Sequence, residues 1–260
     1  MMRAMSTSAS GMRAQQLYVD TIANNLANVN TTAFKAARAE FQDLLYQTIA
    51  PNQRQAAAAG IQPVQIGHGV RLAAVRRDFG QGSTMVTGNA LDLAITGDGF
   101  FRVELPDGSY AYTRDGSFSL DGEGSLVTAG GMRVAPGFSF PETATEVGVQ
   151  RDGRILVRSD GEQESSELGS LEVYRFANPA GLRAVGSNLY AETEASGQAT
   201  LGEPGQDGLG TVESGLLEMS NVSVVEEMVR LIEAQRAYEL NSKAIQTAED
   251  MLGVTSQIKR

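Results

Sequence analysis

The chain has no cysteine, no tryptophan and a single histidine. Lacking cysteine, it cannot form disulfides, use a thiolate nucleophile or hold a metal through sulfur. This fits a protein that works outside the cytoplasm and needs no covalent staples. His68, between Gly67 and Gly69, cannot build a multi-histidine metal site alone, and no Ser-His-Asp arrangement is signposted. No run approaches the ~20 apolar residues that span a bilayer. After Arg3 the N-terminus continues Ser6-Thr7-Ser8-Ala9-Ser10, too polar for the core of a secretory signal. The expectation is a cytoplasmic protein, or one exported by a route without a cleaved signal. Basic residues are also scarce: 21 Lys and Arg face 31 Asp and Glu, for a formal charge of −10. A nucleic-acid binder carries a basic footprint, and an anionic membrane repels an acidic chain. Neither nucleic acid nor membrane insertion is expected.

Familiar catalytic motifs are missing too. Gly-x-Gly occurs at positions that include Gly67, Gly97, Gly122 and Gly208, but there the third glycine of a dinucleotide fingerprint falls on Leu72, Arg102, Val127 and Glu213. No phosphate-cradling Gly-Lys-Ser/Thr loop and no Gly-x-Ser-x-Gly elbow is present. Asp115 to Gly124 is rich in acids and glycines, yet its spacing misses the calcium loop with its distant bidentate glutamate. A carboxylate pair for glycoside hydrolysis is a spatial arrangement, and nothing selects one pair. The reading is therefore no enzyme, no cofactor and no metal. Arg71, Arg76 and Arg77 form a small basic cluster, which reads as a solvated face or a subunit contact.

What the 260 residues do contain is a pair of similar ends around a different middle. Near the N-terminus Met5, Met12, Val19 and Leu26 recur every seven residues, with Ile22 and Val29 three places further on. Near the C-terminus Val224, Leu231, Tyr238, Ile245 and Leu252 repeat the spacing. A sustained seven-residue period keeps one seam facing a partner helix. An amphipathic helix on its own core gives a similar pattern, but two matching seams favour mutual pairing. Ser223 followed by Glu226 forms a capping box at the start of the second helix. Glu226 and Glu227 suit the positive end of its dipole, and Lys259 and Arg260 the negative end. Such a helix would run roughly 50 Å at ~1.5 Å per residue, longer than a small core can cover.

The middle reads as β. Asp-Gly pairs, suited to tight turns, fall at Asp98, Asp107, Asp115, Asp121, Asp152, Asp160 and Asp207. Between them lie short runs such as Phe100-Phe101-Arg102-Val103 and Tyr110-Ala111-Tyr112-Thr113. Gln53 to Gly60 reads as a surface stretch, and Leu201 to Gly210 as a glycine-rich linker. The expected fold class is α+β: N- and C-terminal helices paired in a coiled coil around a central, mostly-β domain. The boundaries drawn are 1–35 for the first helix, 36–84 for an extended connector with an insert at 50–62, 85–210 for the β domain and 211–260 for the second helix.

The segment from Ala23 to Lys35 (Ala-Asn-Asn-Leu-Ala-Asn-Val-Asn-Thr-Thr-Ala-Phe-Lys) crowds asparagines at a helix end, where their propensity is poor. Packed polar side chains need hydrogen-bond partners, and neighbouring subunits could supply them and fix register. This stretch, with Asn24, Asn25, Asn28, Thr31, Phe34 and Lys35, resembles the N-terminal signature of the bacterial flagellar rod and hook family. Ser220 to Val229 and Gln235 to Ala244 resemble its C-terminal signature. Ala94 to Phe101 and Tyr112 to Phe118 match its middle. Asp43 to Ile49 and Gln65 to Val70 look most like its distal rod members. The family often has glycine where this chain has Ala33, so a positive φ there would cost about 1 kcal/mol or more.

The resemblance implies an inner coiled coil of the terminal helices, a β domain outside it, and helical stacking into a hollow rod. It implies self-assembly as a homopolymer and contact with proximal rod proteins, the hook protein and the peptidoglycan (P) and outer-membrane (L) ring proteins. The location would be the flagellar basal body, from periplasm to outer membrane, reached through type III export. A proximal rod or hook-like subunit is the alternative within the family. A secreted β-domain enzyme or adhesin with a coiled-coil stalk is the alternative outside it.

Overall fold

A computed structural model describes residues 2–49, 64–141, 144–159, 166–206 and 208–258. The chain divides into two compact units. Unit 1 comprises 1–27, 37–77 and 223–260; unit 2 comprises 28–36 and 78–222. The insert at 50–62, the Asp-Gly pairs at Asp160 and Asp207, and Lys259 and Arg260 lie outside the described residues. Among the described residues no helix is long and apolar enough to cross a membrane.

Unit 1 is built on two helices, α1 (Met2–Ala27) and α2 (Val224–Ile258). They pack against each other, and α1 also packs on a β ribbon. The ribbon pairs β1 (Ala37–Asp43) with β4 (Val70–Arg77), and beyond it β2 (Tyr46–Ile49) with β3 (Val64–Gly67), all antiparallel. Within the stretch 36–84, expected as an extended connector, residues 37–43, 46–49, 64–67 and 70–77 thus form paired strands. Their backbone groups satisfy one another across the ribbon.

Helix α1 stops eight residues short of the expected boundary at 35. Beyond Ala27 the chain turns, with the Thr31 amide donating to the Asn28 carbonyl at 3.1 Å and the Thr31 hydroxyl to Asn28 Oδ1 at 3.2 Å. Asparagine side chains compete with the helical ladder in this way. Val29 is therefore not on the α1 seam but in a turn of unit 2. Ala33 adopts the left-handed conformation, φ 53°, and is buried. Replacing Ala33 by glycine should relieve that strain, offset partly by unfolded-chain entropy and the lost methyl. A net gain below ~1 kcal/mol is expected, read as a higher urea midpoint; a lower midpoint would show that chain entropy and the lost methyl outweigh the strain.

Unit 2 centres on a six-stranded antiparallel sheet. Its order is β15 (Arg183–Gly186), β16 (Leu189–Ala191), β8 (Tyr110–Thr113), β7 (Phe100–Glu104), β14 (Val173–Arg175) and β17 (Thr200–Gly202). Adjacent residues of one strand point to opposite faces, which explains why Phe100 and Phe101 are both buried. Phe101, Val103, Ala111, Val173 and Leu189 join the larger core, along with Ile155 and Val157 of β12 (Arg154–Ser159). Phe100, Tyr112, Tyr174 and Tyr190 form a second, aromatic cluster on the other face with Phe176 and Leu182. Asp107-Gly108 makes the β7–β8 turn: Asp107 Oδ1 accepts from the Ser109 amide at 2.9 Å, and Gly108 has φ 79°.

Two boundaries differ from expectation at the C-terminal side. The stretch expected as a linker, Leu201 to Gly210, begins inside a strand, because β17 forms the sheet edge against β14. Residues 211–218, expected with the second helix, are strands. β18 (Thr211–Ser214) pairs with β6 (Leu93–Thr96), and β19 (Leu216–Glu218) with β5 (Thr84–Val86). Val212 is fully buried there, as the alternation Thr-Val-Glu-Ser demands.

Candidate assembly interface

In unit 1 the helices run antiparallel. Asn25 Nδ2 lies 3.4 Å from Glu227 Oε2, and a Cβ added to Gly11 would lie 3.1 Å from Asn241 Nδ2. The step from Asn25 back to Gly11 equals the step from Glu227 forward to Asn241, so the two contacts fix one register. Glu227, Ala234 and Ala248 are buried and Asn241 is half-buried. These four positions are themselves seven apart, three residues after each position of the expected apolar column. In that column Leu231 and Ile245 are half-buried, while Val224, Tyr238 and Leu252 are exposed. On α1 Ile22 is buried and Met5, Met12, Val19 and Leu26 are half-buried; the other buried residues are Ala14 and Asn25. The line of closest approach is thus small or polar, with the large apolar residues flanking it.

Asn25 holds the chain where it re-enters unit 1. Its Oδ1 accepts from the Ala37 amide and its Nδ2 donates to the Ala37 carbonyl, both at 2.8 Å. Glu227, a carboxylate 3% exposed, is met by Arg230 NH1 at 2.6 Å. It sits in the first turn of α2, where the helix dipole favours a negative charge. Ser223 stands just before α2 and its carbonyl accepts from the Glu227 amide at 3.0 Å. Glu226 reaches Arg230 at 3.4 Å.

Residues 28–35 of the asparagine-rich segment belong to unit 2. Phe34 and Lys35 are buried there. Lys35 Nζ donates to Glu218 Oε1 at 2.6 Å and to the Gly80 carbonyl at 2.8 Å. Arg114 Nε donates to Glu218 Oε2 at 3.0 Å, and its NH2 to the Ile95 and Gly97 carbonyls. All three side chains are within 2% of complete burial. Desolvation holds the Lys35 ammonium below its ordinary pKa, opposed in part by Glu218. Asn221 closes the node: its Oδ1 accepts from Ala36 and its Nδ2 donates to the Asp78 and Gly80 carbonyls. The node ties four stretches of unit 2: residues 33–36, 78–82, 95–114 and 218–221. Asn24 is exposed on α1.

The apolar residues left exposed are concentrated in unit 1. Helix α2 carries Val225, Met228, Val229, Ile232 and Leu240, of which Val225 is 74% exposed. Among the described residues of unit 1, the buried apolar side chains apart from Ile22 are the alanines Ala14, Ala39, Ala234 and Ala248. Burying one large apolar side chain stabilises by roughly 1.5–3 kcal/mol. A unit that buries so few and exposes so many is built to be covered. The described residues hold no cluster of three or more acids or histidines able to bind a metal.

Known proteins are similar to this chain in sequence. Residues 5–35 match the flagella basal body rod protein family. Residues 94–157 match the flagellar hook protein FlgE/F/G D1 domain, and residues 213–258 the flagellar basal body rod FlgEFG protein C-terminal family. The flagellar basal-body rod protein FlgG of Borreliella burgdorferi is 53% identical over 264 residues, covering 100% of both chains. This chain belongs to the flagellar basal-body rod protein family. FlgG of Caulobacter vibrioides is 48% identical, covering 99% of this chain and 100% of its own. FlgG of Bacillus subtilis is 40% identical over the full length of both. Membership in the rod family makes the chain a structural subunit of the flagellar basal body, and it leaves the enzyme and adhesin alternatives without support.

The three matched segments divide between the units: the first and last carry α1 and α2, and the middle one spans β6 to most of β12. Sequence reasoning missed Glu227, Ala234, Asn241 and Ala248 as the contact column, and the pairing of Lys35 and Arg114 through Glu218. The column carried a signal, since its seven-residue spacing is present in the sequence, but in small and polar residues.

Proposed function

We propose that the chain is the subunit of the distal rod, assembling helically with copies of itself into a hollow shaft that transmits torque from motor to hook. The observation that carries this reading is the exposed apolar face of α2 beside a seam of small and polar residues. A contact repeated without closing generates a filament, and long helices side by side resist twisting. In this reading the two terminal helices supercoil around each other along the seam. The seam residues named above, from Met5 to Leu26 and from Val224 to Leu252, then divide between that contact and contacts with neighbouring subunits. The shaft joins proximal rod proteins to the hook protein inside the P and L rings, and the subunit travels through the type III export apparatus.

Cryo-tomography of the envelope in cells lacking the gene tests this directly. A rod that stops short of the outer membrane, without a hook, is the expected result. A complete rod without a hook would move the subunit to the hook, and an unchanged flagellum would refute the assignment. Deleting residues 1–27 and 223–260 should abolish rods.

A further inference from the structure

Charge is unevenly divided between the units. Unit 1 contains twelve Lys and Arg against nine Asp and Glu, whereas unit 2 contains nine against 22. The whole acid excess therefore resides in unit 2, and unit 1 is basic.

Three of the twelve basic residues of unit 1 share one surface of its ribbon. Ala39 is buried and the Phe41 ring meets Tyr18 of α1 edge-on at 5.9 Å, so this alternate set of β1 faces α1. Arg38, Glu40 and Gln42 point the other way. Their partners directly across the ladder are Arg76, Ala74 and Arg71, and paired residues share a face. The outer face thus presents Arg38, Arg71 and Arg76 against one carboxylate, Glu40, which lies 3.4 Å from Arg76 Nε. Arg38 and Arg71 are exposed, and the Arg76 side chain is 61% exposed. Arg38 stands directly opposite Arg76. Like charges at such a pair destabilise an isolated ribbon; Glu40 offsets this in part at Arg76, and an acid from outside would offset it further.

We infer that this arginine face is a docking surface for the acidic unit 2 of a second copy of the chain. The inference rests on the proposed self-assembly and adds to it the partner surface and the chemistry of the contact. Complementary charge steers the encounter and fixes register. The contact is consequently sensitive to salt.

Two variants of the full-length chain, expressed in cells lacking the native gene, test it. R38K/R76K keeps the charge and adds amines that a zero-length carbodiimide can join to carboxylates. R38E/R76E reverses the charge. In isolated basal bodies, treated R38K/R76K subunits should yield a dimer-sized species whose linked peptides join an introduced amine, at position 38 or 76, to a carboxylate within 78–222 of another copy. R38E/R76E cells should lose rods and swimming, while the purified variant keeps the circular dichroism of the native chain. Links confined to one chain, links only to unit 1 or to another axial protein, or normal swimming of R38E/R76E would overturn the inference while leaving self-assembly standing. Loss of rods in R38K/R76K, where both charges remain, would also overturn it as an electrostatic contact. Failure of the gene deletion to shorten the rod would instead overturn the reading beneath it.

Discussion

Replacing Glu218 by alanine should destabilise unit 2 by about 3–5 kcal/mol, the range for removing one partner of a buried ion pair. Its carboxylate lies between Lys35 Nζ at 2.6 Å and Arg114 Nε at 3.0 Å, and also accepts from the Gly82 amide at 2.9 Å. Without it two buried cations lose their counter-charge, and an isolated charge in a low-dielectric interior is costly. Lys35→Met should behave differently. Two acceptors that lose Lys35 keep another donor: Gly80 O retains Asn221 Nδ2 at 3.0 Å, and Glu218 Oε1 retains the Gly82 amide. The remaining Glu218–Arg114 pair is neutral, and methionine fills similar volume, so the cost should stay near 1 kcal/mol. Urea unfolding followed by near-ultraviolet dichroism of the tyrosines reads both. Equal losses in the two variants would show that packing, not charge, governs the node.

The same node sets a direction for pH dependence. Burial lowers the folded-state pKa of Lys35 from its ordinary value of 10.5. Between that lowered value and 10.5 the unfolded chain binds more protons than the folded one, so the Lys35 contribution to stability rises with pH across this window. Below the window Lys35 is protonated in both states and its contribution is flat. The difference in urea midpoint between native chain and Lys35→Met should therefore change with pH only in the alkaline window, in favour of the native chain.

What the sequence made legible follows from which residues announce themselves. Turns with Asp-Gly and runs such as Phe100-Phe101 display local physics, and the β unit was readable from them. The seven-residue columns of α1 and α2 were visible because methionine, valine, leucine and isoleucine stand out in a polar background. The column that makes the contact was not, because Ala234 and Ala248 carry little hydrophobic weight and Glu227 and Asn241 carry none. Close helix approach selects small side chains, so the nearest contact gives the weakest apolar signal. Asn28 and Val29 misled the helix boundary for a related reason: the period continues through Val29, but asparagine hydrogen bonds end the helix first. The node at Glu218 lay hidden because Lys35 and Glu218 are distant in the chain, and only the fold brings them together. Its partner Arg114 was already in view within a recognised stretch, without anything to say what it bonds.

Placing aspartate at both Val229 and Ile232 should abolish rods while leaving the isolated subunit as stable as the native chain. Both side chains are about half exposed on α2, so their replacement removes little burial within the subunit, and surface changes of this kind usually shift stability by within ~0.5 kcal/mol. Val225, Met228, Val229 and Ile232 are spaced three or four apart and lie on one face of the helix. The α1 contact uses the column of Glu227 and Ala234. The exposed stripe is thus a second apolar face, and a helix apolar on two faces requires two partners. If neighbouring subunits bury the stripe, each lost apolar side chain forfeits roughly 1.5–3 kcal/mol of burial, and two introduced carboxylates add a desolvation penalty. That penalty recurs at every subunit of a filament, so assembly should fail as a whole. Electron microscopy of basal bodies and swimming in soft agar read the outcome against urea unfolding of the purified subunit. Normal rods with both aspartates in place would show that this stripe faces solvent in the shaft, and the subunit contacts would then have to run along the flanks of the α1 seam, through Tyr238 and Leu252.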